Sequence, residues 1–454
     1  MLVNKRYEIQ SKLGQGAVGE VFKAYDLHLE KIITIKISKQ NPLAEDKLIK
    51  EFKITSQFEH PNIISVLNFG IVRICDVENY IGRKFIVFEY CDTSDIISFS
   101  SGFDFKRKME IIAQIAHAVY VIHKAGYIHH DIKPENILYD SKNDLVKITD
   151  LGLAIELEEI RSGKAPAGTL LYIAPEILRG ERYDYRADIY SFGILIYHLL
   201  KGRPPFESEN PVEIVKWHLS QKEIADEEID TEIAKLLNSM LNPDPKQRPR
   251  NMLEVLNRLK NFVDDFKIPN NFKIRKPIGK NEAIKKATEI LNDVKNSPQE
   301  VKTVLISGAD GLGKTSLTRY INVEAKALGF ETIVVNEINI PEITNFLINS
   351  PFAFNLTPEL RLRIEKFKDV SKINPHIAIE FSQFLKDLIL KSSSNSPVAI
   401  FFDGLNPNEL NIDVFLKSFF QFDESARGNL AIFITCDDVN FYASFIKKFE
   451  TIYL

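Results

Sequence analysis

The segment from Ile128 to Leu138 constrains this chain more than any other, because it encloses three chemically distinct polar groups between two apolar runs. Asp131 could accept a proton from a hydroxyl group, Lys133 could neutralise a phosphoryl oxygen, and Asn136 could bind a metal ion. The same spacing also fits a plain polar turn between a helix and a hairpin. The rest of the chain must decide between these two interpretations.

A glycine-rich segment lies upstream, with Gly14, Gly16 and Gly19 in G-x-G-x-x-G spacing. Dinucleotide-binding folds and ordinary turns share this spacing, so alone it indicates little. Residues 20–25, which include Val21, contain β-branched and aromatic side chains and predict a strand rather than a helix after the glycines. The glycines are therefore predicted at a hairpin tip, where the missing Cβ atoms allow backbone N–H groups to approach phosphates.

Lys36 is the one long cation of the next predicted strand, and we interpret it as a phosphate ligand rather than a solvated strand lysine. A helix is predicted over 45–59, and Glu51 lies on a turn of it that could meet Lys36. Strands predicted at 63–74 and 83–90 then complete a small, mostly antiparallel sheet with one helix.

In the middle of the chain the apolar periodicity becomes helical. The spacing predicts a buried helix over 105–124 and a second helix over 188–200, which is apolar on all sides and therefore central. Between them, a predicted strand at 145–149 ends at Asp150, next to the flexible Gly152. A carboxylate at such a strand end is well placed to bind a metal ion.

Together these segments resemble the eukaryotic-type protein kinases, from residue 7 to about residue 263. The resemblance implies a bilobal α+β protein kinase fold with ATP and Mg²⁺ as cofactors, because the signature segments of the family occur in the required order. It makes Asp131 the catalytic base and places Lys133 beside the γ-phosphate. It assigns magnesium to Asn136 and Asp150. The implied ATP-binding positions are Gly14, Gly16, Gly19, Val21, Lys36, Glu51, Glu89 and Cys91.

The resemblance also implies supporting contacts inside the larger lobe. Glu176 should pair with Arg248, and Asp188 should brace the catalytic loop. The lysine after the catalytic aspartate, together with Gly168 and Thr169, is typical of kinases that phosphorylate serine and threonine. A hydroxyl group on a protein is therefore the expected substrate.

Four positions depart from the family pattern. His130 stands where the family carries arginine, Leu151 replaces phenylalanine in the magnesium tripeptide, and Thr34 and Thr55 replace small or apolar residues. A histidine cannot provide the permanent two-pronged charge with which arginine binds a phosphorylated loop. The alternative to an active kinase is a pseudokinase scaffold, which binds nucleotide and partners without transferring phosphate. The departures leave every catalytic group in place, so the active kinase is favoured.

A second set of motifs follows a basic, proline-punctuated segment at 265–281, which we predict to be a linker. A strand is predicted at 302–307 and a helix runs to about residue 328. Between them the motif G-x-x-x-x-G-K-T supplies Gly308, Gly313, Lys314 and Thr315. A glycine-rich turn without a ligand is the alternative, but the strand–loop–helix context favours phosphate binding by the loop amides and the helix N-terminus.

This half of the chain resembles the P-loop ATPases of the AAA and STAND type, which implies an α/β P-loop NTPase domain. By this resemblance Lys314 reaches the outer phosphates and Thr315 takes magnesium, while Asp403, at the end of an apolar strand, is their acidic partner. Gly404 stands where many relatives carry a second acid for hydrolysis. A nucleotide switch and a signalling ATPase therefore both remain open as functions of this half.

The predicted organisation is a kinase domain at 1–264, the linker at 265–281 and a P-loop domain at 282–454. The second domain is expected to stop short of its full length, since no arginine sensor or helical lid follows its last predicted strand. We therefore expect the chain to be the front part of a larger signalling protein, with further domains beyond Leu454.

Composition and charge limit the classes of partner. The 454 residues have a formal net charge of -4, which argues against a dominant surface for nucleic acid or anionic membranes. The three cysteines are widely spaced and suggest free or buried thiols in a reducing compartment. The N-terminus lacks an apolar signal region, and the longest apolar run, at 189–200, is too short to cross a bilayer. We predict a cytoplasmic protein without a membrane span.

Overall fold

The structure is a computed structural model that describes most of the chain. It describes residues 1–454 except 93–94, 157–169, 221–223, 225, 264–271, 276, 278, 298–300, 369, 371–372, 395, 406–410, 423–427 and 447, and except for the side chains of Ile155, Glu156 and Phe354. Gly168, Thr169 and the first part of the predicted linker therefore lie outside the described residues.

The N-terminal lobe is a curled antiparallel sheet with one long helix packed against it. The helix is α1 (Pro42–Thr55), and the strands are β1 (Leu2–Val3), β2 (Tyr7–Gln15), β3 (Gly19–Asp26), β4 (Lys31–Ser38), β5 (Phe58–Glu59), β6 (Val66–Ile71) and β7 (Lys84–Glu89). Six of the strands form the sheet, in the order β1-β2-β3-β4-β7-β6. Ile33, Ile35 and Ile37 on β4 are fully buried, as the period of two along a half-buried strand requires.

An asparagine cap starts helix α1, and a short strand follows its end. The side chain of Asn41 accepts a hydrogen bond from the backbone N–H of Ala44 at 2.8 Å, and a proline occupies the first turn. The prediction that this helix runs to residue 59 is wrong, because α1 ends at Thr55 and β5 follows. Strand β5 pairs with Lys273–Ile274, a partner so distant in sequence that local periodicity could not indicate it.

The larger lobe is mostly helical, and it completes the predicted bilobal arrangement. Its helices are α2 (Ile96–Ser100), α3 (Phe105–Lys124), α4 (Pro175–Leu178), α5 (Arg186–Lys201), α6 (Pro211–Leu219), α7 (Thr231–Met240) and α8 (Met252–Leu259), and its strands are β8 (Tyr127–Ile128), β9 (Ile137–Asp140), β10 (Leu145–Ile148) and β11 (Ile155–Glu156). The predictions of α3 and of a central helix at α5 are confirmed. Strand β9 pairs with β10 and β8 pairs with β11, so two short hairpin-like pairs flank the polar segment between Ile128 and Leu138.

The described part of the predicted linker lies against the first domain rather than free in solvent. Its strand β12 (Lys273–Ile274) pairs antiparallel with β5, and the guanidinium of Arg275 donates to the Glu59 carboxylate at 2.8 Å. The ring of Phe272 lies 5.9 Å from the rings of both His60 and His117. Residues 272–275 of the connection are therefore bound to the first domain.

The second domain is built on a parallel sheet with helices on both faces. Its strands are β13 (Val301–Ser307), β14 (Glu331–Val335), β15 (Val398–Phe402), β16 (Leu430–Cys436) and β17 (Glu450–Tyr453), and its helices are α9 (Asn281–Asn296), α10 (Lys314–Ala327), α11 (Ile340–Ile348), α12 (Pro358–Glu365), α13 (Pro375–Ser393), α14 (Ile412–Phe419) and α15 (Val439–Ala443). The strand order is β14-β15-β16-β13-β17. Helices α9 and α10 cover one face, and α11 to α14 cover the other. Every residue of β15 and β16 is buried, which explains their continuous apolar runs.

Among the described residues, every helix falls short of the length or the apolar character that a bilayer crossing requires.

Candidate active site

The polar segment between β8 and β9 brings its three chemical groups together. The ammonium of Lys133 lies 2.6 Å from the Asp131 carboxylate. The side-chain amide of Asn136 donates to the backbone carbonyl of Asp131 at 2.7 Å and to its carboxylate at 2.9 Å. Lys133 and Asn136 therefore both contact the Asp131 carboxylate, and the interpretation of this segment as a plain polar turn does not account for such a cluster.

Asp188, on α5, fixes the backbone of the same segment. Its two carboxylate oxygens accept hydrogen bonds from the backbone N–H groups of His129 at 2.7 Å and His130 at 3.0 Å. A third bond joins it to the ring of His123 at 2.8 Å. Burial opposes ionisation, but these bonds and the nearby histidine rings lower the pKa of Asp188 to about 2. The predicted brace is thus present as a buried, ionised carboxylate.

Lys36 on β4 contacts two carboxylates, one from each lobe. Its ammonium lies 2.6 Å from Glu51 on α1 and 3.3 Å from Asp150, which follows β10. Burial by itself would lower the pKa of Lys36, but the two carboxylates raise it above its ordinary value, so the ammonium keeps its charge. Burial likewise opposes ionisation of Asp150, yet the Lys36 ammonium lowers its pKa. The pair that the sequence predicted between Lys36 and Glu51 is present.

The three glycines of the first hairpin differ in how much space the surrounding protein leaves for a side chain. A Cβ atom on Gly19 would lie 2.2 Å from the carbonyl oxygen of Ile37, so only glycine fits between β3 and β4 at that point. A Cβ atom on Gly14 or Gly16 would meet nothing within 4 Å. Protein packing therefore explains Gly19 but leaves the other two glycines to another cause, such as the close approach of a ligand. Val21 is paired in register with Lys36 on the neighbouring strand.

The connection between the lobes begins at Glu89 and Cys91. The carboxylate of Glu89 accepts from the backbone of Ser65 and lies near the ammonium of Lys147, each at 2.8 Å. Because the Glu89 carboxylate is already bound to Ser65 and Lys147, a nucleotide base at this position would contact the backbone. Burial raises the pKa of the Cys91 thiol to about 12, which keeps it protonated. Sequence reasoning missed Lys147, whose partner comes from a different strand.

Two of these residues fit a magnesium ion. Because the amide nitrogen of Asn136 is used on Asp131, its oxygen remains as the acceptor of that side chain. Asp150 is ionised and its side chain is 37% exposed. Mg²⁺ prefers oxygen ligands and is commonly held by one or two side chains together with substrate phosphates. The oxygen chemistry of Asn136 and Asp150 is consistent with that requirement.

The larger lobe also contains the predicted ion pair between Glu176 and Arg248. Its two hydrogen bonds measure 2.7 and 2.8 Å, in the parallel fork that arginine forms with a carboxylate. The guanidinium also donates to the backbone carbonyls of Asn242 and Arg186. This pair ties the segment after residue 174 to the helices beyond α7.

His130 differs from the arginine of the family pattern in structure as well as in charge. Its backbone adopts a φ of 69°, and its ring lies 5.1 Å from that of Tyr183. Within the described part of the chain neither ring nitrogen has a hydrogen-bond partner. Burial lowers the pKa of His130, so the ring is neutral near pH 7. It supplies no positive charge to this side of the site.

Comparison with known proteins decides the family. The family model described as the protein kinase domain matches residues 7–258, which is more than half of the chain. The chain belongs to the protein kinase family. Members of this family use ATP with Mg²⁺, so these are the cofactors of the kinase domain.

The kinase domain is similar to curated serine/threonine kinases. Identity is 32% over 266 residues with serine/threonine-protein kinase pkn3 of Myxococcus xanthus, covering 54% of this chain and 47% of that protein. It is 33% over 231 residues with serine/threonine-protein kinase PknB of Mycolicibacterium smegmatis, covering 48% and 36%. It is 30% over 250 residues with the human SNF-related serine/threonine-protein kinase, covering 53% and 32%. The matched part of this chain thus spans less than half the length of each of these relatives.

Outside the kinase domain, the loop between β13 and α10 brings together the second group of predicted residues. Gly311 and Gly313 have φ values of 82° and 87°, which favour glycine. The ammonium of Lys314 donates to the carbonyl oxygen of Gly308 at 2.7 Å. The hydroxyl of Thr315 donates to Asp403 at 3.2 Å, so the two halves of the predicted site meet.

Sequence reasoning missed one acidic residue at this loop. Asp437 follows β16, and its carboxylate lies 2.5 Å from the Lys314 ammonium. Burial opposes the change, but this contact raises the pKa of Lys314. An acid at the carboxyl end of a buried strand is the same signal that identified Asp403, so Asp437 could have been found. Gly404, which stands where many relatives carry the second acid, donates its N–H to the Thr435 hydroxyl at 2.7 Å. Asn406 and Glu409, two nearby residues that could replace that acid, lie outside the described residues.

Proposed function

We propose that this protein transfers the γ-phosphate of ATP to serine and threonine hydroxyl groups of protein substrates, in signal transduction. The observation that supports this most strongly is a pair of linked ion pairs. The Lys36 ammonium contacts Glu51 in its own lobe and Asp150 in the other lobe. These side chains come from α1, β4 and the end of β10, and their convergence requires the whole domain to be assembled.

The proposed roles follow from the chemistry of the residues. Asp131 accepts the proton of the substrate hydroxyl, and Lys133 neutralises charge on the transferred group. Lys36 holds the α- and β-phosphates, and Glu51 holds Lys36 in place. Asn136 and Asp150 bind magnesium, which neutralises charge on the phosphates when it is bound. The hairpin glycines Gly14, Gly16 and Gly19, with Val21, cover the nucleotide, and the backbone at Glu89 and Cys91 meets its base.

A phosphate-transfer assay tests this function against the pseudokinase alternative. Purified protein is incubated with γ-labelled ATP, Mg²⁺ and casein, and the labelled amino acids are identified after hydrolysis. The kinase interpretation requires label on phosphoserine or phosphothreonine. Binding of ATP without any transfer would favour the scaffold instead.

We expect kinase activity to be independent of phosphorylation in the activation segment, the loop between Asp150 and Glu176. A phosphate there would need a cationic partner, and His130 is buried and neutral where the family carries arginine. Ser162→Ala should therefore retain the activity of the unaltered protein to within about twofold. Mass spectrometry of active enzyme and steady-state kinetics check this prediction. An obligatory phosphate at Ser162, with activity lost in the variant, would contradict it.

We also propose that residues 282–454 form a P-loop module of the AAA and STAND type that binds a nucleoside triphosphate and hydrolyses it slowly, as a switch. The support is the contact between Thr315 and Asp403, beside a lysine whose present acceptors a phosphate group could replace. The competing function is a signalling ATPase, which would need a group to orient water. Asp437 is near enough to Lys314 to be considered for that role.

Lys314→Ala should weaken nucleotide binding at this second site by roughly 10- to 100-fold, because it removes a charge-assisted hydrogen bond to phosphate. The accompanying hydrolysis assay belongs in a background of Asp131→Ala and Asp150→Ala, which removes phosphoryl transfer at the kinase site. Lys285→Ala, at an exposed lysine of α9, is the matched control and should change nothing. Brisk ATP hydrolysis that Lys314→Ala abolishes would refute the switch and support the ATPase.

The cytoplasmic location, the domain boundaries and the presence of further domains remain predictions from the sequence. Mass analysis of the native gene product from cells would test the last of these directly.

A further inference from the structure

Helix α1, which carries Glu51, contacts the second domain through helix α10. The ammonium of Lys53 lies 2.6 Å from the carboxylate of Glu324, and the Glu324 side chain is only 11% exposed. A residue of the kinase domain is thus bound by a residue that follows it by more than half the length of the chain. The kinase-domain match ends at residue 258, so Glu324 is contributed from outside that domain.

Apolar packing accompanies this ion pair. Ala327, at the end of α10, is 6% exposed and belongs to a cluster of buried side chains from the N-terminal lobe. The cluster includes Leu48 and Phe52 of α1, and the ring of Phe52 stacks on that of Phe69 at a centroid distance of 4.3 Å. One turn of α10 therefore fills a depression that α1 and the sheet form together.

The contact acts on the side of α1 that faces away from the nucleotide cleft. Successive residues of an α-helix are about 100° apart, so Lys53 points about 200° away from Glu51. Glu51 reaches Lys36, and Lys53 reaches Glu324. Helix α1 is thus held between the two, and a shift of α10 would move the carboxylate of Glu51 relative to Lys36.

Further contacts fix the second domain against the same lobe. Arg73 forms an ion pair with Glu331 at the start of β14, and it donates to the hydroxyl of Ser396 at 2.5 Å. The pairing of β12 with β5 also holds the strand that follows α1. These contacts come from separate elements of the second domain and its connection, so α10 is placed with little freedom to slide along α1.

We propose that Glu324 and Ala327 are positioning residues for phosphoryl transfer, and that the second domain uses them to hold α1 where Glu51 can bind Lys36. This inference rests on the proposed kinase function. A helix that is supported from outside the cleft keeps its buried ion pair formed, and loss of that support leaves Lys36 without a fixed partner. The protein would therefore have its activating surface built into its own chain.

A charge exchange tests the ion pair. Glu324→Lys places two ammonium groups together and should lower kcat/KM for ATP about fivefold, with little change in KM for the protein substrate. Lys53→Glu should do the same, and the double variant with both changes should recover to within about twofold of the unaltered protein. Glu232→Lys, in an equally short pair on the exposed surface of α7, is the matched control and should leave kinetics unchanged. Failure of the double variant to recover any activity would overturn the role of the pair.

Ala327→Glu tests the apolar part, because it places a carboxylate in the cluster around Phe52. We expect kcat/KM for ATP to fall at least about tenfold while the protein stays folded by circular dichroism. Amide hydrogen exchange on the intact chain supplies a readout that does not depend on activity. Exchange should rise in peptides from α1 and stay unchanged in α3. If α1 stays as protected as before, the positioning role is wrong, whereas absence of transfer in the unaltered protein would count against the kinase function alone.

Discussion

Asp131→Ala is expected to reduce phosphoryl transfer to serine or threonine by roughly 10²- to 10⁴-fold, the usual contribution of a general base. The Asp131 carboxylate can accept a proton, and Lys133 and Asn136 both contact it. Transfer from γ-labelled ATP to casein measures the effect. ATP binding should persist, because the proposed contacts of the hairpin glycines, Val21 and Lys36 with the nucleotide come from the other lobe and are left intact.

A matched control separates loss of the base from loss of the fold. Glu232→Ala removes a carboxylate on the exposed surface of α7 and should leave both activity and the melting temperature unchanged. Near-normal transfer by purified Asp131→Ala would show that the catalytic loop has been assigned to the wrong residues.

Lys36→Ala should lower kcat by roughly 10²- to 10³-fold, which is typical for loss of one preorganised group that stabilises developing charge. The substitution also leaves Glu51 and Asp150 without the cation that lies 2.6 and 3.3 Å from them. Steady-state kinetics with ATP as the varied substrate give the effect. The melting temperature should be measured alongside the kinetics. We expect it to fall, because a buried carboxylate that has lost its cationic partner lowers the stability of the fold.

Lys31→Ala is the control for this second prediction, because Lys31 lies exposed on the same strand, β4. It should behave like the unaltered protein in both measurements. If Lys36→Ala remained folded and retained most of the activity, the pair with Glu51 would be structural only, and the interpretation of Lys36 as a phosphate ligand would fail.

Local sequence patterns predicted the parts of the site that lie on single elements. Helix α3 has the predicted bounds, and Asp150 follows a predicted strand. The pair of Lys36 with Glu51 was also predicted, because Glu51 lies on a turn of the predicted helix that could meet Lys36. The bounds of α3 and of the strand before Asp150 could be predicted because apolar periodicity is a local property of the sequence.

The features that the sequence did not indicate depend on pairing between distant segments. The early end of α1 follows from pairing of β5 with β12, and periodicity within a helix contains no information about such a partner. The contact of Lys147 with Glu89 and that of Asp437 with Lys314 have the same origin. The packing of Ala327 on the N-terminal lobe is a further contact of this kind, which the sequence of α10 did not indicate.

Helix α10 begins at Lys314, in the proposed second nucleotide site, and ends at Ala327 against α1, roughly 20 Å away for a helix of its length. Coupling between two binding events through one rigid element is reciprocal, because both are steps of a single thermodynamic cycle. Suppose that nucleotide at the second site favours one position of α10 and thereby changes the affinity of the kinase cleft for ATP by some factor. ATP in the kinase cleft, which favours the pairing of Glu51 with Lys36, must then change nucleotide affinity at the second site by that same factor. Each site would then sense the occupancy of the other, and the two affinities could not be adjusted separately.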